Sequence, residues 1–185
     1  MIHTRLLQPT RAFIYWLQRQ TSLRHLDVYD TIDGHGDIHG LSLPGLQSLT
    51  AMYGQARRIL LNSPAIVELE VRLHQGVSEL VELLRPRSPG ICKLKIHFVR
   101  TELSKADLTS IRDLPHLQHL HIAGICDPEE EPLAILHAIA QTCPELSSFK
   151  WTARYLKSKI NEHVYRYTFV NGQWKNALRW ESRVP

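Results

Sequence analysis

Residues 111–122 read IRDLPHLQHLHI. Leu117, Leu120 and Ile122 occupy the first, fourth and sixth positions of a run that opens two residues after Pro115. The same spacing recurs at Leu23, Leu26, Val28; Leu46, Leu49, Ala51; Ile66, Leu69, Val71; Ile91, Leu94, Ile96; and Leu146, Phe149, Trp151. Five of the six runs carry the proline, as Pro44, Pro64, Pro89, Pro115 and Pro144. Run origins lie 23, 20, 25, 26 and 29 residues apart, the period expected when one supersecondary unit stacks on the next.

Side chains alternate along a strand, so the fourth and sixth positions of each run face a core while the third, fifth and seventh face outward. The first apolar residue turns in at the bend. One such strand cannot bury its apolar side alone, whereas stacking coils ~4.8 Å apart makes a continuous parallel sheet. Between the runs lie apolar patterns of helical period: Ala12 to Arg19, Ala56 to Leu61, Val77 to Leu84, Ala106 to Leu114 and Leu133 to Ala140. Strand and helix alternate, which predicts an α/β fold. Asp127, Pro128 and Glu129 to Glu131 supply a cap, a pre-set φ and negative charge for a helix start. Ser104 with Asp107 has the spacing of a capping box, and each recurring proline pushes the residue before it out of the helical region.

Composition sets the bounds. With 185 residues and 43% hydrophobic content, the chain can bury the core of one domain. We expect repeats over residues 1–160 and a C-terminal cap over 161–185 within that domain. The apolar stretch Ala12 to Leu17 is too short for a secretory leader core or a membrane span. Cys92, Cys126 and Cys143 are odd in number and form no C-x-x-C. They read as reduced thiols of a cytoplasmic or nuclear protein.

Asn171-Gly172 between alternating segments predicts a β-hairpin. A two-residue turn sets Val170 opposite Gln173 and Phe169 opposite Trp174. One face then collects Tyr165, Tyr167, Phe169, Trp174, Leu178 and Trp180, the other Arg166, Thr168, Lys175 and Arg179. A one-sided ribbon of this kind suits a lid over the last coil, where Phe149 and Trp151 would otherwise be exposed. From Lys150 to Pro185 eight Lys or Arg meet two Glu, leaving the rest of the chain with fourteen basic and sixteen acidic residues. Basic residues interleaved with aromatics raise nucleic-acid binding as an alternative. Burial of the aromatics weighs against it.

Residues 36–40 read GDIHG, which looks like the first metal-ligand motif of metallophosphatases, where Asp and His hold a dinuclear centre. Asp37 and His39 would then belong to a metal-dependent phosphoesterase. The chain has no second Gly-Asp pair and no G-N-H, so a glycine-rich loop is the simpler assignment. The eleven histidines are scattered, and no H-E-x-x-H, Walker loop or G-x-S-x-G is present. His119 and His121 share a strand face beside Lys93, Lys95 and His97, and the lysines argue against a zinc site. We expect no catalytic residue, no metal and no cofactor.

The outward face carries the functional expectation. Its partner-binding candidates are His25, Asp27, Tyr29, Met52, Glu68, Glu70, Arg72, Lys93, Lys95, His97, His119, His121 and Lys150. With the repeats in register, Glu68 and Glu70 fall beside Lys93 and Lys95, while Tyr29 and Met52 can serve as anchors.

The stretches LLNSPAIVELEV, LLRPRSPGICKLKI, IRDLPHLQHLHI and IAQTCPELSSFKW resemble the repeat region of fungal F-box/leucine-rich-repeat proteins. The resemblance spans nearly the whole chain and implies a right-handed, ribonuclease-inhibitor-like solenoid of about six coils, with the parallel sheet on its concave face and the helices on its convex face. Departures from the family are plain. The asparagine that usually follows each strand is replaced by Thr31, Gly54, His74, Val99 and Ile125, and only 22 residues precede the first run, too few for an F-box. In that family the repeats recruit a target protein for ubiquitin ligation, so the resemblance implies a scaffold that binds a protein partner, with no membrane role. Phe13, Ile14, Tyr15, Trp16 and Leu17 are consecutive and give the first helix apolar surface on several sides, which predicts self-association or cover by a preceding segment.

Overall fold

A computed structural model describes residues 2–4, 11–28, 41–74, 77–87, 90–102, 111, 114–125, 132–154, 162–170 and 173–176. The fold is α/β with mostly parallel strands, and the chain divides into two compact units, Met1–Arg72 and Leu73–Pro185. The proposed boundary at 160/161, the GDIHG loop, the Ser104 and Asp127 helix starts, Cys126, Tyr29, Leu178, Arg179 and Trp180 lie outside the described residues.

In the first unit, β1 (Ile2–Thr4), β2 (His25–Val28), β3 (Ser48–Met52) and β4 (Glu68–Leu73, of which all but Leu73 belong to this unit) follow one another in chain order, each pairing in parallel with the next. The helices α1 (Arg11–Gln18) and α2 (Tyr53–Leu60) lie between them in sequence. Strand β1 precedes the first of the six apolar runs and was not expected. Three residues, Ile2-His3-Thr4, are too few to show a period, and only pairing with Leu26, Asp27 and Val28 identifies them as a strand.

The second unit opens with α3 (Ser78–Leu84) and a short 3-10 turn, Arg85–Arg87. Its strands β5 (Lys93–Glu102), β6 (His119–Ile125) and β7 (Ser148–Arg154) are parallel, with α4 (Pro132–Ala140) preceding β7. The chain then reverses. Strands β8 (Glu162–Val170) and β9 (Gln173–Asn176) add antiparallel to β7 and to each other.

A single turn leads into four of the six runs. The amide of Leu23 donates to the carbonyl of Gln20, Leu46 to Leu43, Leu117 to Leu114 and Leu146 to Cys143. In the last three, proline fills the second turn position, where its fixed φ is already correct. In four of the runs the residue after the origin then offers its carbonyl to two successive amides of the next coil. Arg24 accepts from Gln47 and Ser48, Gln47 from Val67 and Glu68, Cys92 from Gln118 and His119, and Gln118 from Ser147 and Ser148. Two lone pairs on one oxygen thus hold each strand start on its neighbour. Hydroxyls join the turns as well: Ser42 Oγ donates to the Asn62 carbonyl, buried Ser63 Oγ accepts from the Leu43 amide, and Ser147 Oγ donates to the Gln118 carbonyl.

The inward positions are those expected. Leu26, Val28, Leu49, Ala51, Leu69, Val71, Leu94, Ile96, Leu120, Ile122, Phe149 and Trp151 are all buried, as are all six run origins. Helix α2 begins at Tyr53, three residues before the predicted apolar pattern, because extended Met52 ends β3 and caps the helix without a linker. Its buried residues Gln55, Ala56, Ile59 and Leu60 form one face.

Two of the residues that stand where an asparagine was looked for fall inside strands, Val99 in β5 and Ile125 in β6. Ile125 is in the ladder, paired with Glu102 and Arg154, whereas Val99 lies where the β5–β6 register shifts. The longer strands add an inward position that the six-residue pattern does not contain. Phe98 is buried in β5, and the backbone of Gly124 packs on it so closely that a Cβ at Gly124 would stand 2.7 Å from the Phe98 Cβ. A large residue and a missing side chain complement each other across neighbouring strands.

Candidate partner-binding face

The outer sheet face is read strand by strand from the register. In the first unit, His25 lies in line with Ser48 and Glu68, Asp27 with Thr50 and Glu70, and Met52 with Arg72. His25 is exposed, and the others are half-buried between their neighbours. In the second unit, Lys93 lies in line with His119 and Ser148, Lys95 with His121 and Lys150, and His97 with Ala123 and Thr152. The expected grouping of Lys93, Lys95, His97, His119 and His121 on one face is therefore present. Glu68 and Glu70 belong to the first unit, Lys93 and Lys95 to the second.

The antiparallel reversal carries the face further than sequence reasoning took it. Arg166 of β8 sits directly opposite Lys150, and Thr168 lies between Ser148 and Lys175. Arg166 and Lys175 are exposed. Both had been placed on the outer side of the hairpin, but joining them to the Lys95 and Lys93 rows required the β7–β8 register. No turn signal encodes that register, because residues 155–161 separate the strands.

Ala123 is the smallest side chain in its row, and the side chains around it contact one another. The His97 and His121 rings meet edge to face with centroids 5.9 Å apart, and His121 Nε2 is hydrogen-bonded to Thr152 Oγ1 at 3.1 Å. Both contacts are diagonal across the strands, within reach of long side chains. Thr152, expected on the outer face, is buried. Among the described residues no three His, Cys, Asp or Glu side chains come together to hold a metal.

Behind this face, Phe149 packs against Trp151 and Tyr167, each with ring centroids 6.2 Å away. Tyr167 is buried beside its register partner Phe149. The aromatic face of the hairpin is not wholly buried, however. Phe169 is 46% exposed, and Trp174, 5.2 Å from it, is half-buried. Pairing with β7 ends at Ser148 opposite Thr168. The Ser147 carbonyl takes the Phe169 amide, and beyond it the ribbon overhangs, with the two rings covering each other.

The turns carry their own electrostatics. His116 follows Pro115 and Glu145 follows Pro144, which places them at equivalent points of stacked turns. His116 Nδ1 and Glu145 Oε1 lie 2.8 Å apart at the surface. The hydrogen bond from His116 holds the Glu145 carboxyl below its ordinary range. Burial pushes the Cys143 thiol upward, and its sulfur lies 3.7 Å from the Ile111 carbonyl. This is the environment of an inert core thiol. On α1, Tyr15 is 67% and Trp16 46% exposed, with Phe13 stacked on Trp16 at 5.5 Å, while Leu17 is buried. Among the described residues no helix is long and apolar enough to cross a membrane.

Compared with known proteins, the chain matches no family model and has no significant match among curated proteins.

Proposed function

We infer that the chain is a protein-interaction scaffold, a leucine-rich-repeat solenoid that engages a protein partner through the outer, concave face of its sheet. One observation carries the reading: the strands bury their fourth and sixth positions completely, yet hold rows of charged, polar and imidazole side chains in cross-strand register on the other face. A face ordered in this way presents many side chains to a ligand at little further entropic cost. The resemblance of its turn-and-strand stretches to F-box/leucine-rich-repeat proteins supports recruitment of a target for ubiquitin ligation as the setting. Exposed Tyr15 and Trp16 support a second covered surface, by another copy or a preceding segment.

The test is affinity capture from native extract with the immobilised chain, comparing wild type with two outer-face variants, Glu68→Lys/Glu70→Lys and Lys93→Glu/Lys95→Glu. At least one variant should lose the dominant partner at physiological salt while keeping its circular-dichroism melt within a few degrees. Partner capture that survives both reversals places binding elsewhere and overturns the reading.

A further inference from the structure

We propose that the helix side of the first unit binds an anionic lipid surface. This goes beyond the scaffold reading and commits the cover over Tyr15 and Trp16 to lipid, where the family resemblance alone implies no membrane role. Ala12, Tyr15, Trp16 and Arg19 recur at the first, fourth, fifth and eighth positions of one helical face, and all four are exposed. Arg19 follows the end of α1, where its amide donates to the Trp16 carbonyl at 3.1 Å and continues the turn. Leu17 faces the other way and is buried. The helix thus has its inner face in the core and still presents a tyrosine 67% exposed and a tryptophan 46% exposed on its outer one.

Charge on this side has one sign. Helices α1 and α2 each lie on a connection between neighbouring parallel strands, and the common hand of such crossovers puts both on the side away from the outer face. Among the described residues of the first unit the acidic ones are Asp27, Glu68 and Glu70, all at outer strand positions. Residues 11–26 and 41–67 contain none, whereas Arg19, Arg24 and Arg57 are exposed there. The Arg24 guanidinium donates to the Thr21 and Gly45 carbonyls at 3.2 and 3.1 Å, neutral acceptors that fix it at the turn and leave its charge intact. Trp and Tyr join an apolar body to a polar tip, which suits the headgroup layer of a bilayer, and each nearby Arg adds attraction to anionic headgroups. So short a helix with few cations gives reversible rather than permanent attachment. A second copy fits less well, since joining two such faces brings arginines against arginines. A single-stranded nucleic acid needs open rings in series, whereas Phe13 lies against Trp16 at 5.5 Å and Tyr15 projects about 100° away around the helix.

The experiment is co-sedimentation of the full chain with phosphatidylcholine vesicles containing about a quarter phosphatidylserine, compared with vesicles of phosphatidylcholine alone. The anionic vesicles should take up the chain with a partition coefficient about tenfold or more above that of the neutral ones, and the difference should shrink as salt rises. Tyr15→Ser/Trp16→Ser should lower partition onto the anionic vesicles about tenfold, with a circular-dichroism melt close to wild type. If that double variant does not fold, Tyr15→Ser alone should still lower it several-fold. Arg19→Gln/Arg57→Gln should weaken uptake several-fold, and more than Lys93→Gln/Lys95→Gln, which removes the same charge from the second unit. Equal uptake by the two vesicle types, unchanged partition of the folded Tyr15 and Trp16 variants, or equal loss from the two charge-matched pairs overturns the proposal. So does a concentration-dependent dimer in analytical ultracentrifugation that Tyr15→Ser/Trp16→Ser abolishes, since the cover would then be a second copy.

Discussion

The two units apply one inward rule to two different outer faces. Strands β1 to β4 grow from three to six residues and display Asp27, Glu68 and Glu70 among Ser48, Thr50 and Met52. Strands β5 to β7 have ten, seven and seven residues, enclose Phe98, Phe149 and Trp151, and display Lys93, Lys95, His97, His119, His121 and Lys150. Inward positions must fill a densely packed space, so Leu26, Leu49, Leu69, Leu94 and Leu120 scarcely vary. The outward positions are free of that constraint, and their charge reverses sign between the units. Function is therefore sought where the repeat stops dictating residue type.

The sharpest way to break the inward equivalence is to place a charge at matched buried positions. Leu69→Asp in β4 and Leu120→Asp in β6, both at residues 2% exposed, should each cost about 3–5 kcal/mol, the scale of an uncompensated buried charge and a large share of a domain's stability. Urea denaturation would measure both. If either variant keeps the wild-type midpoint, that strand does not follow the inward rule.

A smaller effect distinguishes the second unit. Gly124→Val thrusts a side chain into Phe98 and should cost about 1–3 kcal/mol as overpacking, with part of the loss recovered when Phe98→Ala is added. Thermal melts of the single and double variants test the complementarity. A strictly additive pair would show that Gly124 and Phe98 do not share one space.

The smallest effect lies in the stacked turns. Because the folded Glu145 carboxyl is held below its ordinary value of 4.5, its contribution is present at neutral pH. It fades as pH falls below that value and through the lowered one. His116→Ala should raise the Glu145 titration midpoint seen by carboxyl-carbon NMR, while barely moving the melt at pH 7, since both groups are solvent-exposed. An unchanged midpoint would show that the two turns do not couple.

Much of the candidate face is legible in the amino-acid sequence. Alternation identified His119 and His121 as neighbours of Lys93 and Lys95 because side-chain direction follows from strand period alone. The Asn171-Gly172 turn likewise led to the pairing of Phe169 with Trp174. The contact between His97 and His121 was not legible, since diagonal contacts depend on how far strands twist and side chains lean. Nor was the exposure of Phe169, which depends on where β7 ends.

What the sequence by itself determined is the local grammar: apolar spacing, prolines at turns, alternating strand and helix, and which side of each strand is buried. These are set by covalent geometry and hydration within a few residues of one another. Only the tertiary structure decided that Ile2–Thr4 pairs as a strand, that Gly124 makes room for Phe98, and that Arg166 and Lys175 extend the lysine rows of β5 and β7 into a single cationic face. Each of these depends on register between segments distant in the chain, and register is settled by the packing of whole strands rather than by any residue's own preference.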